Sequence, residues 1–107
     1  MFIIEKTDEF DKWFRKLKDL KAKSKILFRL QKIQMDGHFG EYKTICDGIR
    51  ELKIDYANGF RKYFKELNGK IIIILCGGDK STQQKDILKA TEILKRIKIH
   101  KNGNFKI

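Results

Sequence analysis

Five residues between Glu51 and Lys80 have the types and spacing for chemistry on a phosphate: Glu51, Lys53, Arg61, Tyr63 and Lys80. Cleaving RNA without a metal requires the ribose 2′-OH to attack the adjacent phosphorus. A base must take its proton, an acid must protonate the departing 5′-oxygen, and cations must meet the extra phosphate charge. Alternation along a strand puts Glu51 and Lys53 on one face, and Arg61 and Tyr63 on one face of the next strand, so a hairpin juxtaposes the pairs. Lys80 stands at the start of a helix, a favourable place for a phosphate. The histidines that often perform such proton transfers, His38 and His100, lie outside this segment.

The elements that must position these residues are legible around them. Leu52, Ile54 and Tyr56 alternate with Glu51, Lys53 and Asp55, the pattern of a strand with one buried face. Asn58-Gly59 turns the chain into an aromatic and cationic strand, Phe60–Leu67, and Asn68-Gly69 turns it again. Ile71–Cys76 is continuously apolar and needs cover on both faces, which makes it the central strand. Upstream, Phe2-Ile3-Ile4 is a short strand and Thr7 caps a helix whose stripe is Phe10, Trp13, Phe14 and Leu17. A second, antiparallel helix aligns Ile26, Leu27, Leu30 and Ile33 and stops at Asp36-Gly37, where glycine suits the left-handed position. Ser81-Thr82-Gln83-Gln84 fits a capping box, opening a last helix from about Thr82 to Ile97 with Ile87, Ala90, Leu94 and Ile97 on its buried side. Residues 98–107 form a basic extension. In it Lys101-Asn102-Gly103 suits a hairpin loop that sets Ile99 opposite Phe105 and Ile97 opposite Ile107.

Charge and composition narrow the partners. With 25 Lys+Arg against 14 Asp+Glu the 107-residue chain carries +11, an excess that costs self-repulsion and points to a polyanion, nucleic acid first. No apolar run reaches transmembrane length and no secretory signal opens the chain, so the cytoplasm is the expected compartment and a membrane is not an expected partner. Cys46 and Cys76 are too separated for a metal or redox motif and read as reduced thiols, Cys76 as a small core residue. Neither His has a second ligand at metal spacing, so neither a metal site nor a cofactor is expected. Gly77-Gly78-Asp79-Lys80-Ser81-Thr82 mimics the context of a phosphate-binding loop, but Ile74 stands where its first glycine belongs and Asp79 would repel phosphate.

Three blocks, Glu51–Tyr56, Gly59–Phe64 and Leu75–Ser81, in that order and spacing, resemble the RelE/ParE superfamily of toxins, most closely its HigB-like "addiction module killer protein" branch. The resemblance covers residues 2–97. It implies an α+β domain of order β-α-α-β-β-β-α, with an antiparallel sheet and a helical hairpin on one face. It implies ribosome-dependent endonucleolytic cleavage of mRNA without metal, leaving a 2′,3′-cyclic phosphate and a 5′-OH. The implied partners are the ribosome, mRNA and a cognate antitoxin of the helix-turn-helix type. Arg61 matches the family's glycine–aromatic–Arg motif, Lys80 the basic residue after the third strand's glycine, and Lys53 a catalytic Lys of the second strand. Glu51 departs from RelE, which has Lys there, and the loop before Gly59 is one residue longer. The C-terminal Tyr of RelE has no counterpart, since Asp86 or Ile87 falls there. Arg50, Lys62, Lys65 and Lys85 are the remaining expected RNA contacts. Two alternatives stay open: a ParE-like non-enzymatic gyrase poison, which Arg61 and Lys80 argue against, and an inactive basic RNA-binding module.

Each candidate has a plainer role to exclude. Arg61 could be a structural ion-pair partner, although a large cation inside an aromatic strand is costly without a purpose. Lys80 could be a turn residue, Tyr63 core, and Glu51 solvated or paired with Lys53. Gly77-Gly78 supply backbone freedom or a close approach under any activity.

Overall fold

The computed structural model describes residues 2–57 and 59–99. Its elements are β1 (Ile3–Lys6), α1 (Asp8–Lys16), α2 (Leu20–Asp36), β2 (Tyr42–Thr44), β3 (Arg50–Ile54), β4 (Phe60–Leu67), β5 (Ile71–Gly78), a 3₁₀ turn at Lys80–Thr82 and α3 (Gln83–Ile99). They build an α+β fold around one five-stranded sheet ordered β1-β5-β4-β3-β2. The pairs β3–β4 and β4–β5 are antiparallel as expected, β2 adds a further antiparallel pair with β3, and β1 pairs parallel with β5, Ile3 opposite Ile71. The apolar β5 needs a partner on its second edge, and only the far N-terminus supplies it. Strand β2 was not anticipated, because Tyr-Lys-Thr is short, exposed at all three positions and carries no alternation.

Both faces of the sheet are covered. On one, Phe10, Ala22, Ile26, Leu30 and Ile33 of α1 and α2 pack on Leu52, Ile54, Phe60, Phe64, Ile72 and Ile74. On the other, Ala90, Ile93 and Leu94 of α3 pack on Ile49, Tyr63, Ile73, Leu75 and Cys76. The two-sided burial expected of the Ile71–Cys76 run is therefore present. Leu27, expected in the core stripe, is 44% exposed, because one step past the buried Ile26 turns it about 100° away on a helix of 3.6 residues per turn.

Thr7 caps α1 as expected, its hydroxyl accepting from the Phe10 N–H at 3.1 Å, and it also donates to the Leu75 carbonyl at 2.6 Å, joining α1 to β5. Gly37 closes α2 at φ 67°. The start of the last helix differs from the Ser81–Gln84 capping box. Asp79 is the cap, its Oδ1 accepting from the Ser81 N–H at 2.8 Å and the Ser81 hydroxyl at 2.6 Å. A charged acceptor two residues upstream outcompetes a neutral one. It also occupies the amides a phosphate would need, so the phosphate berth expected beside Lys80 is filled from within. Helix α3 continues to Ile99, which places Ile97 and Ile99 on a helix instead of a ribbon arm; the rest of that proposed hairpin lies outside the described residues.

Gly77 and Gly78 serve close approach. A Cβ at Gly77 would lie 2.5 Å from the Trp13 ring, and one at Gly78 would lie 1.8 Å from Asp86 Oδ2, while neither glycine has positive φ. Helices α1 and α3 thus press on the C-terminal end of β5 from opposite sides.

Candidate active site

Register creates the site. Arg61 pairs with Lys53 on β3 and with Gly78 on β5, so Lys53 and Arg61 stand in one row at the strand ends and Lys80 follows two residues beyond Gly78. A cleft of about 980 Å³ opens there, lined by Lys53, Asp55, Tyr56, Gly59, Arg61, Lys80 and Ser81. The three cations expected to act together are brought together. Lys53 and Lys80 are exposed, whereas Arg61 is only 7% exposed. Gly59 turns the chain into β4 at φ 70°, and the Nη1 of Arg61 donates to its carbonyl at 3.0 Å.

Behind Arg61 lies a buried network. Glu51 is buried beneath α3, not solvated and not paired with Lys53, which turns to Asp55 at 3.3 Å. Glu51 Oε2 accepts from the Tyr63 hydroxyl at 3.0 Å and from the Gln83 amide at 2.8 Å, and lies 3.5 Å from Arg61 Nε. That Nε is buried without a hydrogen bond, so its contact with Glu51 is charge attraction at a distance. Burial, then the Glu51 charge, push the Tyr63 phenol well above its ordinary range and keep it a donor. Glu51 and Tyr63 therefore stand behind the cleft and fix Arg61 from inside the sheet.

The four expected RNA contacts lie elsewhere. Lys62 is 1% exposed, its Nζ donating to the Ile26 carbonyl at 3.4 Å, because β4 is buried on both faces from Phe60 to Phe64. Burial, then the Arg29 charge, lower its pKa to about 7. Buried there, Lys62 is withdrawn from any RNA. Arg50 pairs with Glu66 at 3.2 Å and lies over the Tyr42 ring. Lys65 donates to the Asp47 carbonyl at 2.7 Å, and Lys85 is exposed on the first turn of α3. None of the four lines the cleft.

Two residues were missed. Gln83 was read only within the capping box, although a carboxylate buried on β3 demands a second donor. Tyr56 was read as the third apolar residue of a strand that in fact ends at Ile54. Its ring sits at the cleft, and its hydroxyl donates to Asp19 Oδ1 at 3.3 Å. Desolvation, then the Asp19 carboxylate, hold its pKa above the ordinary tyrosine value, so it stays a neutral phenol. Cys76 is the core thiol expected, its pKa pushed up to about 12 by burial. Among the described residues no three His, Cys, Asp or Glu side chains cluster as a metal site, and no helix is long and apolar enough to cross a membrane.

The arrangement of sheet and helices is shared with solved structures of the toxin RelE. The structure is similar to the toxin–antitoxin complex RelBE of E. coli, with TM-score 0.61 and 13% identity over 74% of this chain and 96% of that one. It is also similar to a mutant of E. coli toxin RelE in the free state, with TM-score 0.57 and 16% identity over 90% of this chain and 97% of that one. Residues 12–98 match the family described as "Phage derived protein Gp49-like (DUF891)". An uncharacterized protein of Haemophilus influenzae is 53% identical over 87 residues, 81% of this chain and 87% of that protein. The chain belongs to the phage-derived Gp49-like family.

Proposed function

We propose that this protein is the toxin of a type II toxin–antitoxin pair and acts as a ribosome-dependent mRNA endonuclease. The observation that carries the reading is the convergence of Lys53, Arg61 and Lys80 on one cleft, on a fold that the RelE toxins share. In the proposed reaction the 2′-oxygen bonds to the adjacent phosphorus, the P–O5′ bond breaks, and the products are a 2′,3′-cyclic phosphate and a 5′-OH. Arg61, held by Glu51, meets the charge that develops on the phosphoryl oxygens, and Lys80 and Lys53 add to it from the two rims. Tyr63 and Gln83 act through Glu51. Protons move between substrate and the groups at the rim, of which Tyr56 is the donor and Asp55 the carboxylate acceptor.

The partner reading follows. The antitoxin, of helix-turn-helix type on the HigB-like reading, covers the basic cleft, and the toxin works where translation occurs, in the cytoplasm. Induction in cells followed by primer extension on mRNA, beside a gyrase supercoiling assay, tests this. Codon-phased cuts with unaffected supercoiling support it. Inhibited gyrase without cuts would make this a ParE-like poison, and neither effect would leave an inactive RNA-binding module.

A further inference from the structure

A second cavity, of about 880 Å³, runs between α2 and the loops flanking β2 and β3. It shares the lining residues Lys53 and Asp55 with the cleft, so the two are neighbours that meet at the end of β3. Its helical wall carries Lys21, Lys25 and Phe28. Arg29 closes its base, with Nη2 donating to the Phe39 carbonyl at 3.3 Å and Nη1 to the Lys53 carbonyl at 3.5 Å. The opposite side bears the carboxylates Glu41 and Asp55.

Phe28 is 57% exposed, and the core side of α2 is complete without it, being made of Ala22, Ile26, Leu30 and Ile33. Lys32 Nζ sits 5.7 Å from the Phe28 ring centroid, and Lys25 Nζ 5.4 Å from that of Tyr56. Lys21, Lys25, Phe28 and Lys32 follow one another at four-, three- and four-residue steps, so they form one ridge along the helix. At 1.5 Å per residue that ridge is about 16 Å long. At about 3.4 Å per nucleotide along a stacked strand, it matches four or five nucleotides.

We propose that this cavity is the path of the single-stranded RNA flanking the cleaved link, its phosphates on Lys21 and Lys25 and one unpaired base stacked on Phe28. The proposal deepens the reading of the cleft as an RNA site and rests on it. Cations on the helical wall draw the backbone to that side. The carboxylates opposite repel phosphate and accept from base amino groups, so the strand enters with its bases turned away from α2 at Lys21 and onto the ring at Phe28. An exposed aromatic among cations is the arrangement that binds single strands without sequence preference. Adjacency to the cationic cleft, through the shared Lys53 and Asp55, favours RNA over a protein helix as the occupant.

The test is fluorescence anisotropy with a dinucleotide and an octanucleotide of 2′-O-methyl RNA, which cannot be cleaved because its 2′-oxygen cannot attack. Phe28→Ala should weaken the octanucleotide about ten-fold, the loss of one base–aromatic stack, and leave the dinucleotide unchanged. Lys21→Ala/Lys25→Ala should lower the slope of log K against log salt by about 1.4, two cations at about 0.7 each for a single strand. Equal octanucleotide affinity for parent and Phe28→Ala overturns the proposal. So does a Phe28→Ala variant that binds RNA normally but loses affinity for the antitoxin, which would make the ridge a protein-docking face. Because binding is read without cleavage, the two readings fail separately. Ribosomal cleavage that survives with Phe28-independent binding sinks the path alone, and Phe28-dependent binding without cleavage supports the path while sinking the nuclease.

Discussion

Replacing Glu51 with leucine should be among the most destabilising single changes in this domain. The carboxylate sits inside the sheet, 3.5 Å from the buried Arg61 Nε, and it is the acceptor for the Tyr63 hydroxyl and the Gln83 amide. Leucine leaves a buried guanidinium without its counter-charge, which costs about 3–5 kcal/mol. Two stranded donors add to this, at about 1–3 kcal/mol each if neither finds water, although such terms overlap. Taking about 4 kcal/mol, and about 4–8 °C per kcal/mol for a domain near 100 residues, the midpoint should fall by about 16–32 °C. Against a total stability of about 5–15 kcal/mol, the variant sits near unfolding. Glu51→Gln keeps an acceptor and the shape, so it should cost less than half as much. The decisive comparison is the pair Glu51→Leu and Arg61→Met with their double variant, by urea denaturation. Removing both charges should restore about 1–3 kcal/mol relative to the sum of the single effects. An additive double variant, or a Glu51→Leu cost below about 1 kcal/mol, would show that Arg61 is not held by Glu51. The same pairing means that Arg61→Ala confounds activity with stability, since it leaves Glu51 buried and unpaired.

Lys62 should titrate in the opposite sense to a stabilising pair. Its native pKa near 7 lies below the unfolded value of 10.5, so between the two the unfolded chain binds more protons; stability should climb as pH rises through that window and be lowest below it. Lys62→Met should raise stability at about pH 6 and remove that climb in denaturation curves, whereas an unchanged slope would refute the buried amine. Gly77→Ala drives a methyl into the Trp13 ring and should cost about 1–3 kcal/mol, read as a lower melting temperature with red-shifted Trp13 fluorescence; parental stability would contradict the contact. Thr7→Ala removes a cap and the bond to Leu75, for a loss of about 1–2 kcal/mol in the same melt.

The parts of the fold visible in the sequence are those set by local pattern. The Ile71–Cys76 run, the Phe10 stripe, the Thr7 cap and the Gly37 stop need only periodicity and one residue of special geometry. The parallel partnership of β1 with β5 joins segments nearly seventy residues apart, and no local pattern encodes it. The site was legible as a set and misread in depth. Lys53 and Arg61 were placed by strand alternation, Lys80 by its position at a helix start, and all three by the resemblance of their blocks. Alternation says which residues share a face, not which helix covers that face, so Glu51 under α3 looked solvated and Lys62 under α2 looked available. Gln83 and Tyr56 stayed hidden because their roles depend on neighbours across the sheet and on where β3 ends.

Lys80 offers the most direct test of the central claim, because it is exposed, lines the cleft and belongs to no buried pair. Single-turnover cleavage of ribosome-bound mRNA should be compared for the parent and Lys80→Ala, with ends mapped and circular dichroism confirming the fold. The account predicts codon-phased cuts ending in 2′,3′-cyclic phosphate for the parent, and a rate about 10²–10³-fold lower for the variant, as for loss of one preorganised transition-state donor. Cleavage by Lys80→Ala at the parental rate, or a parent that leaves ribosome-bound mRNA intact, would contradict it.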